Sequence, residues 1–227
     1  MDEKAFKSTL DNLWRARRIL DLAKNDLLKE IKNTETKSDL LGSCVIFLHA
    51  TLEEFLRGVA IREWIKLDSE DLKNTLKKYS HLSTRNIKIN LIEAVDKREL
   101  SVESIIQQEI EDFVFKDMNF SSIGEVKAFL TLSKVSLKEE PPEIKVKEED
   151  ISNIESLIKK RHKVAHNADC SDLDVERVAL WAKSLQSYIF NLSHSLGLEI
   201  KYREDIKQVQ FIKPVLIFSQ NSNQDEL

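Results

Sequence analysis

The chain has 227 residues, of which 33% are charged and 41% hydrophobic, with four glycines and three prolines. This composition suits long amphipathic helices, and the length allows one large domain or two small ones. The net charge of −4 argues against a surface that coats nucleic acid in general, but it leaves room for a local basic site.

Localisation follows from what the sequence does not contain. The N-terminal segment MDEKAFKSTL is charged and lacks the apolar core of a signal peptide. No apolar run approaches the length that spans a bilayer. Cys44 and Cys170 form no spacing motif, so a reducing compartment is the default reading. We therefore expect a soluble, cytoplasmic protein without a membrane partner.

The first half of the chain predicts two long helices. Residues 3–33 carry apolar side chains at steps of three and four, whereas Arg15, Arg17 and Arg18 fall off that stripe and are expected to be solvated. A polar break at residues 34–38 favours an antiparallel return. The next helix, residues 37–66, carries a bundle seam that steps 4-3-4-3-4 and marks it as central: Leu41, Val45, Leu48, Leu52, Phe55 and Val59.

The second half continues with shorter helices and changes character near its end. Capping residues predict helix starts at Asp68 and at Ser122, and residues 136–150 form an exposed linker around two prolines. The last long helix spans residues 173–195 and stops at Gly197. We therefore predict an all-α bundle over residues 1–196, followed by a short β or extended arm over residues 197–227.

One helix, beginning at Asp150 or Ser152, carries a charged side chain on its apolar face. Its apolar face comprises Ile151, Ile154, Leu157, Ile158, Val164 and Ala165. Arg161 projects within roughly 20° of the centre of that face. Because burying an unpaired guanidinium is costly, a carboxylate must meet it, or the face lines a polar cleft or interface. Glu53 or Glu54 could supply that carboxylate. His162 and His166 lie one turn apart on the flank, and Ser171-x-x-Asp174 predicts the next helix start.

Several chemistries can be weighed against this pattern. Two imidazoles four residues apart could bind zinc, with Asp169 or Cys170 as a further ligand, but H-E-x-x-H and a second ligand pair are missing. No nucleophile elbow, Walker glycine loop or Rossmann glycine motif is present. The plain structural alternatives are an arginine paired with a buried glutamate, two surface histidines, and a satisfied pair between His49 and Glu53.

Metal-independent RNA cleavage fits the same residues. It needs a group that moves a proton near neutral pH and a fixed cation that stabilises the phosphate as its charge develops. In one continuous helix Arg161 and His166 diverge by roughly 140°. A compact site therefore requires either a helix that ends near His166 or two chains that pack around a two-fold axis. Lys159, Lys160 and Lys163 would supply a positive mouth.

The run Arg161-His162-Lys163-Val164-Ala165-His166 resembles the R-x4–6-H motif of the HEPN superfamily, in which a polar residue often follows the arginine. The phrase KKRHKVAHNAD is most similar to the branch called RiboL-PSP-HEPN. The upstream phrase LHATLEEFLR resembles the second helix of bacterial members. The match departs from related branches at Asn167, where a glycine often follows the motif histidine.

This resemblance implies a helical bundle that usually dimerises and brings both motifs into one cleft. It also implies a metal-independent endoribonuclease without a cofactor, of the kind found in toxin–antitoxin and phage-defence systems. His166 would transfer the proton, Arg161 would stabilise the phosphate, and His162 would orient or assist. RNA and an antitoxin or nucleotidyltransferase are the implied partners, and DNA is not expected. The alternative is a HEPN-like module that has lost catalysis and binds a protein partner.

Overall fold

A computed structural model describes residues 3–24, 34–80, 102–139, 145–198, 200–202 and 214–216. These residues form seven helices and two short strands, which pair in antiparallel fashion with Ile200 opposite Leu216. The elements are α1 Glu3–Lys24, α2 Thr34–Trp64, α3 Ser69–Ser80, α4 Val102–Asp117, α5 Ile123–Leu132, α6 Glu148–Asn167, α7 Val175–Ser195, β1 Ile200–Tyr202 and β2 Pro214–Leu216. The predicted all-α bundle is confirmed, and the described residues of the predicted β or extended arm pair as these two short strands.

The centre of the bundle is α2. Every residue of its predicted seam is buried, with Leu41 1% exposed and the other five fully inaccessible. Leu56, Ala60 and Trp64 are also fully buried, so α2 is covered on more than one side, as a central helix must be. It packs against α1, α4, α6 and α7. Helix α2 therefore lies among four other helices of the bundle.

Helices α1 and α2 run antiparallel. The Cys44 thiol donates to the carbonyl of Ala16 at 3.3 Å, and the guanidinium of Arg15 lies 5.9 Å from the ring centroid of Phe47. Later residues of one helix thus meet earlier residues of the other. The predicted polar break at residues 34–38 is wrong, because α2 already begins at Thr34. Residues 25–33 of the predicted first helix lie outside the described residues.

Helices α6 and α7 form the second antiparallel pair. The Asn153 side chain donates to the Ser184 hydroxyl at 3.0 Å, and Lys160 contacts the turn that leads into α7. The buried Asn191 amide exchanges two hydrogen bonds with the backbone of Lys138, at 2.8 Å and 2.7 Å. One end of the predicted linker is therefore fastened to α7, while residues 140–144 lie outside the described part of the chain.

Two predicted helix starts are correct. The Asp68 carboxylate accepts from the backbone N–H groups of Glu70 and Asp71, and the Ser122 hydroxyl accepts from Glu125. Such bonds satisfy amide donors that have no partner in the first turn of a helix. The Glu125 carboxylate turns to Ser121 instead of closing a capping box.

The predicted start of α6 is wrong. The helix begins at Glu148, and Asp150 reaches back to the backbone N–H of Lys147 at 3.1 Å, so Ser152 is already inside it. Helix α7 is capped by Asp174, whose carboxylate accepts from the backbone N–H of Arg177. Ser171 does not cap it.

The chain leaves α7 as predicted, through Gly197 with φ +67°, a conformation that favours glycine. Within the described residues, no helix is long and apolar enough to cross a membrane. The division into a domain of residues 1–196 and an arm of residues 197–227 stays a prediction.

Candidate active site

The predicted catalytic residues lie where α6 leaves the core. Ile154, Leu157 and Ile158 are at most 1% exposed, Arg161 and Val164 are half-buried, and Ala165 is exposed. Arg161 shares the direction of the buried residues, since it is one turn beyond Leu157 and Ile158. Its side chain therefore occupies the rim of the apolar core and not its interior.

The two histidines form a pair on the exposed side of the same turns. The ring centroids of His162 and His166 are 4.4 Å apart with an interplanar angle of 51°, and both residues are exposed. The helix continues through Asn167 and ends at Ala168, whose φ is 50°. Because His166 is still helical, Arg161 and His166 of one chain diverge by about 140° around the axis.

Neither predicted glutamate neutralises Arg161. The Glu53 carboxylate lies 3.7 Å from His49 Nδ1 and 4.0 Å from Arg57 Nη2. Glu54 is half-buried. Across the described ranges, Arg161 forms no hydrogen bond or ion pair. The alternative of an arginine paired with a buried glutamate is therefore wrong for this part of the chain, and the guanidinium is available to an anion.

His49 is a buried histidine of α2 whose tautomer follows from its hydrogen bond. It is 2% exposed, and its Nε2 lies 3.1 Å from the carbonyl oxygen of Phe120. Since a carbonyl only accepts, Nε2 carries the proton. Burial lowers the pKa of His49, Glu53 raises it less, and the charges of Arg161 and Arg57 lower it further. The sequence pattern predicted the pair of His49 and Glu53, but not its carbonyl partner 71 residues away.

The three candidate RNA-binding lysines separate into different environments. Lys163 is exposed, and Lys159 is exposed with its ammonium 2.6 Å from the Glu155 carboxylate. The side chain of Lys160 is only 8% exposed; it donates to the Ser171 carbonyl at 2.7 Å and lies 2.6 Å from Asp172 Oδ1. The geometry corrects the prediction for Lys160, because its ammonium is committed to the turn between α6 and α7.

That turn packs directly on the central helix. A Cβ atom added to Gly42 would lie inside van der Waals contact of Cys170 Sγ and 3.4 Å from Val164 Cγ1. Burial raises the pKa of the Cys170 thiol, as does the nearby Asp39 carboxylate. Asp169 accepts from Ser171. In the described part of the chain, no group of three or more metal-ligating side chains occurs, and neither Asp169 nor Cys170 completes a set with the two histidines.

Taken together, these features define a helical bundle with an R-x4-H motif, Arg161 and His166, near the C-terminal end of α6. This helix packs against the central helix α2. The model of the RiboL-PSP-HEPN family matches residues 10–196. The chain therefore belongs to this HEPN-type family. Searches of curated proteins and of solved structures found no significant match.

Proposed function

We propose that the protein is a metal-independent endoribonuclease that acts as a homodimer. The observation that carries this proposal is the half-buried Arg161, which has no ion-pair partner in the described chain and lies at the rim of the core. The exposed histidines follow it on the same helix. A guanidinium offers several N–H donors in a fixed plane, which suits a phosphate group.

The proposed reaction begins when the imidazole of His166, with His162 orienting or assisting, accepts the proton of a ribose 2′-hydroxyl. The 2′-oxygen then attacks the adjacent phosphorus, and the bond from phosphorus to the 5′-oxygen breaks. A protonated imidazole returns a proton to the leaving 5′-oxygen. The products are a 2′,3′-cyclic phosphate and a 5′-hydroxyl. Arg161 stabilises the phosphate as negative charge builds on its non-bridging oxygens.

The geometry of a single helix supports the proposed homodimer. Arg161 and His166 point about 140° apart around α6, so one chain cannot direct both groups at the same phosphate. A two-fold axis near the C-terminal end of α6 would place the arginine of one protomer opposite the histidine of the other. The exposed Lys163 would then contribute positive charge to the mouth of the cleft.

The biological role that we propose is that of a toxin or defence protein held in check by a partner such as an antitoxin. Support for this role comes from family membership and not from geometry. Expression of the parent protein should arrest growth of a bacterial host, whereas expression of the His166→Ala protein at the same level should not.

The decisive experiment is cleavage of an end-labelled RNA in excess EDTA. The parent protein should cleave, and both Arg161→Ala and His166→Ala should reduce the rate at least a hundredfold. His194→Ala is a matched control, because His194 is exposed on the last turn of α7 and lies outside the proposed site. The fragments should end in a cyclic phosphate, which resists phosphatase until acid opens it.

Retention of cleavage by either single variant would refute the assigned roles. Absence of cleavage by the parent protein, with or without metal ions, would favour the second candidate, a non-catalytic module that binds a protein partner. One observation favours this second candidate: within one chain, Arg161 and the histidines point in different directions around α6.

A further inference from the structure

A cavity on α1 is separate from the R-x4-H residues. It has a volume of about 400 Å³, and its described lining comprises Asp11, Trp14, Arg15 and Arg18. A volume of this order accommodates a small ligand or one segment of a larger one. An indole and two guanidiniums within five consecutive residues give the cavity an aromatic surface and a positive charge.

The two lining guanidiniums differ from their neighbour Arg17. The Arg17 guanidinium donates to Asp21 at 3.2 Å, so its charge is compensated within α1. Arg15 and Arg18 are exposed and make no ion pair with any described carboxylate. Arg15 lies 5.9 Å from the Phe47 ring centroid, a contact that positions the charge without consuming an N–H donor. Both cations are thus available to anionic groups.

Trp14 gives the site its second chemical feature. The chain has three tryptophans, of which Trp64 is fully buried and Trp181 is 3% exposed, whereas Trp14 is half-buried and lines the cavity. An accessible indole stacks well on nucleobases of any sequence, and arginines beside it contact the backbone phosphates. The Asp11 carboxylate can accept from an exocyclic amino group of a stacked base.

The location of the cavity separates it from the cleavage residues. Arg15 contacts Phe47 on α2, while Val164, three residues after Arg161 on α6, lies 3.4 Å from a Cβ atom placed on Gly42. Gly42 and Phe47 are five residues apart, which corresponds to about 140° around a helix. The cavity and the end of α6 that carries Arg161 therefore lie on different sides of α2.

We propose that this cavity is an exosite for single-stranded RNA, in which Trp14 stacks on a base while Arg15 and Arg18 bind adjacent phosphates. The choice of RNA rests on the proposed function, because RNA is the substrate of that reaction. The exosite would hold a stretch of the strand away from the bond that is cut. It should raise the affinity for long RNA and contribute little to the chemical step.

The test uses a single-stranded RNA with 2′-O-methyl riboses, which the proposed reaction cannot cleave. Titration into the full-length protein should quench tryptophan fluorescence, because a base stacks on the Trp14 indole in the cavity. Trp14→Ala should remove the quenching and weaken binding at least fivefold. Arg18→Ala should weaken binding by about three- to tenfold and reduce its salt dependence. Arg177→Ala, an exposed arginine on α7, should change neither value.

Equal binding by the Arg18→Ala and Arg177→Ala proteins would overturn the proposal, and so would RNA binding without quenching. Quenching by polyglutamate but not by RNA would overturn it in favour of an acidic protein partner. Cleavage assays keep this result distinct from the proposed function. A cleaving enzyme whose KM for long RNA is unchanged by Arg18→Ala has the activity but no exosite. RNA quenching of a protein that does not cleave would establish the exosite alone.

Discussion

Neighbouring side chains on α6 have opposite environments, and Lys160 and Lys163 show this most clearly. The Lys160 side chain is 8% exposed and bound to Ser171 and Asp172, whereas Lys163 is exposed. Lys160→Met should lower the free energy of unfolding by about 1–2 kcal/mol, a value discounted because Asp172 is largely exposed. Lys163→Met should change it by less than about 0.5 kcal/mol. Urea denaturation measures both.

RNA binding should rank the same two variants in the reverse order. Lys163→Met is expected to weaken binding and flatten its salt dependence, since one cation leaves the proposed mouth. Lys160→Met should bind RNA with the parent affinity at temperatures where it is folded. If Lys160→Met proved as stable as the parent protein, the bonds to the α6–α7 turn would not matter for folding.

The buried His49 should make stability depend on pH. Burial lowers its pKa below the ordinary value of 6.5, so the unfolded chain takes up this proton at a higher pH than the folded chain does. The stabilisation by the neutral ring is therefore complete above the unfolded-state pKa and is lost as pH falls through 6.5 towards the folded-state pKa. The groups that face the ring are the Phe120 carbonyl, Glu53, Arg57 and Arg161.

His49→Gln isolates this contribution, because glutamine can still donate to the carbonyl but does not titrate. At about pH 7 the variant should be less stable than the parent protein by about 1 kcal/mol. Between about pH 7 and about pH 5 the parent should lose stability faster, so the difference should shrink. Thermal unfolding at several pH values provides the measurement, and a constant difference would mean that folding leaves the pKa of His49 unchanged.

At the scale of elements, the contact between α2 and the turn after α6 depends on Gly42. Glycine normally weakens a helix interior by about 1 kcal/mol relative to alanine, yet here an added Cβ would collide with Cys170 Sγ. Gly42→Ala should therefore destabilise the protein by about 1 kcal/mol net. In a Cys170→Ala background, where the sulfur is gone, the same change should stabilise it by up to about 1 kcal/mol.

A change from destabilisation to stabilisation by Gly42→Ala would distinguish a steric contact with Cys170 from a general effect on α2. A double-mutant cycle of Gly42→Ala and Cys170→Ala, measured by urea denaturation, gives the coupling directly. Independent effects that simply add would show that the turn after α6 moves away without cost, and that Gly42 has no role in its packing.

Periodicity predicted the elements better than their ends. The seam of α2 and the last helix were predictable because apolar side chains repeat at fixed intervals. The start of α6 was not, because Asp150 and Ser152 are both good capping residues, and the helix begins before either of them, where the Asp150 carboxylate accepts from the backbone N–H of Lys147. The polar residues at 34–38 favour a break between helices, although polar side chains are equally suited to the exposed first turn of a helix.

For the candidate site, the sequence placed Arg161 on the apolar side of α6 but not at the rim of the core. That position depends on where the covering helices end, which no local pattern contains. The burial of Lys160 was in principle visible, since it lies three residues after Leu157 and four before Val164. The carbonyl of Phe120 beside His49 was not visible, because it comes from a distant segment.

At the scale of the whole molecule, the proposed homodimer leads to a test that a single chain cannot pass. If each cleavage site takes Arg161 from one protomer and His166 from the other, then a mixed dimer of Arg161→Ala and His166→Ala chains contains one complete site. Random pairing makes about half of the dimers mixed, each with one of two sites intact. The mixture should therefore recover about a quarter of the parent cleavage rate, although each variant alone is inactive.

The two proteins should be unfolded and refolded together so that protomers exchange, with separately refolded samples combined afterwards as the control. Recovery only in the co-refolded sample would show that arginine and histidine act across the interface. An inactive mixture that contains mixed dimers, detected through different affinity tags on the two chains, would mean that both residues must come from one chain. Since Arg161 and His166 diverge by about 140° along a helix that continues to Asn167, that outcome would require α6 to unwind before His166 when RNA binds.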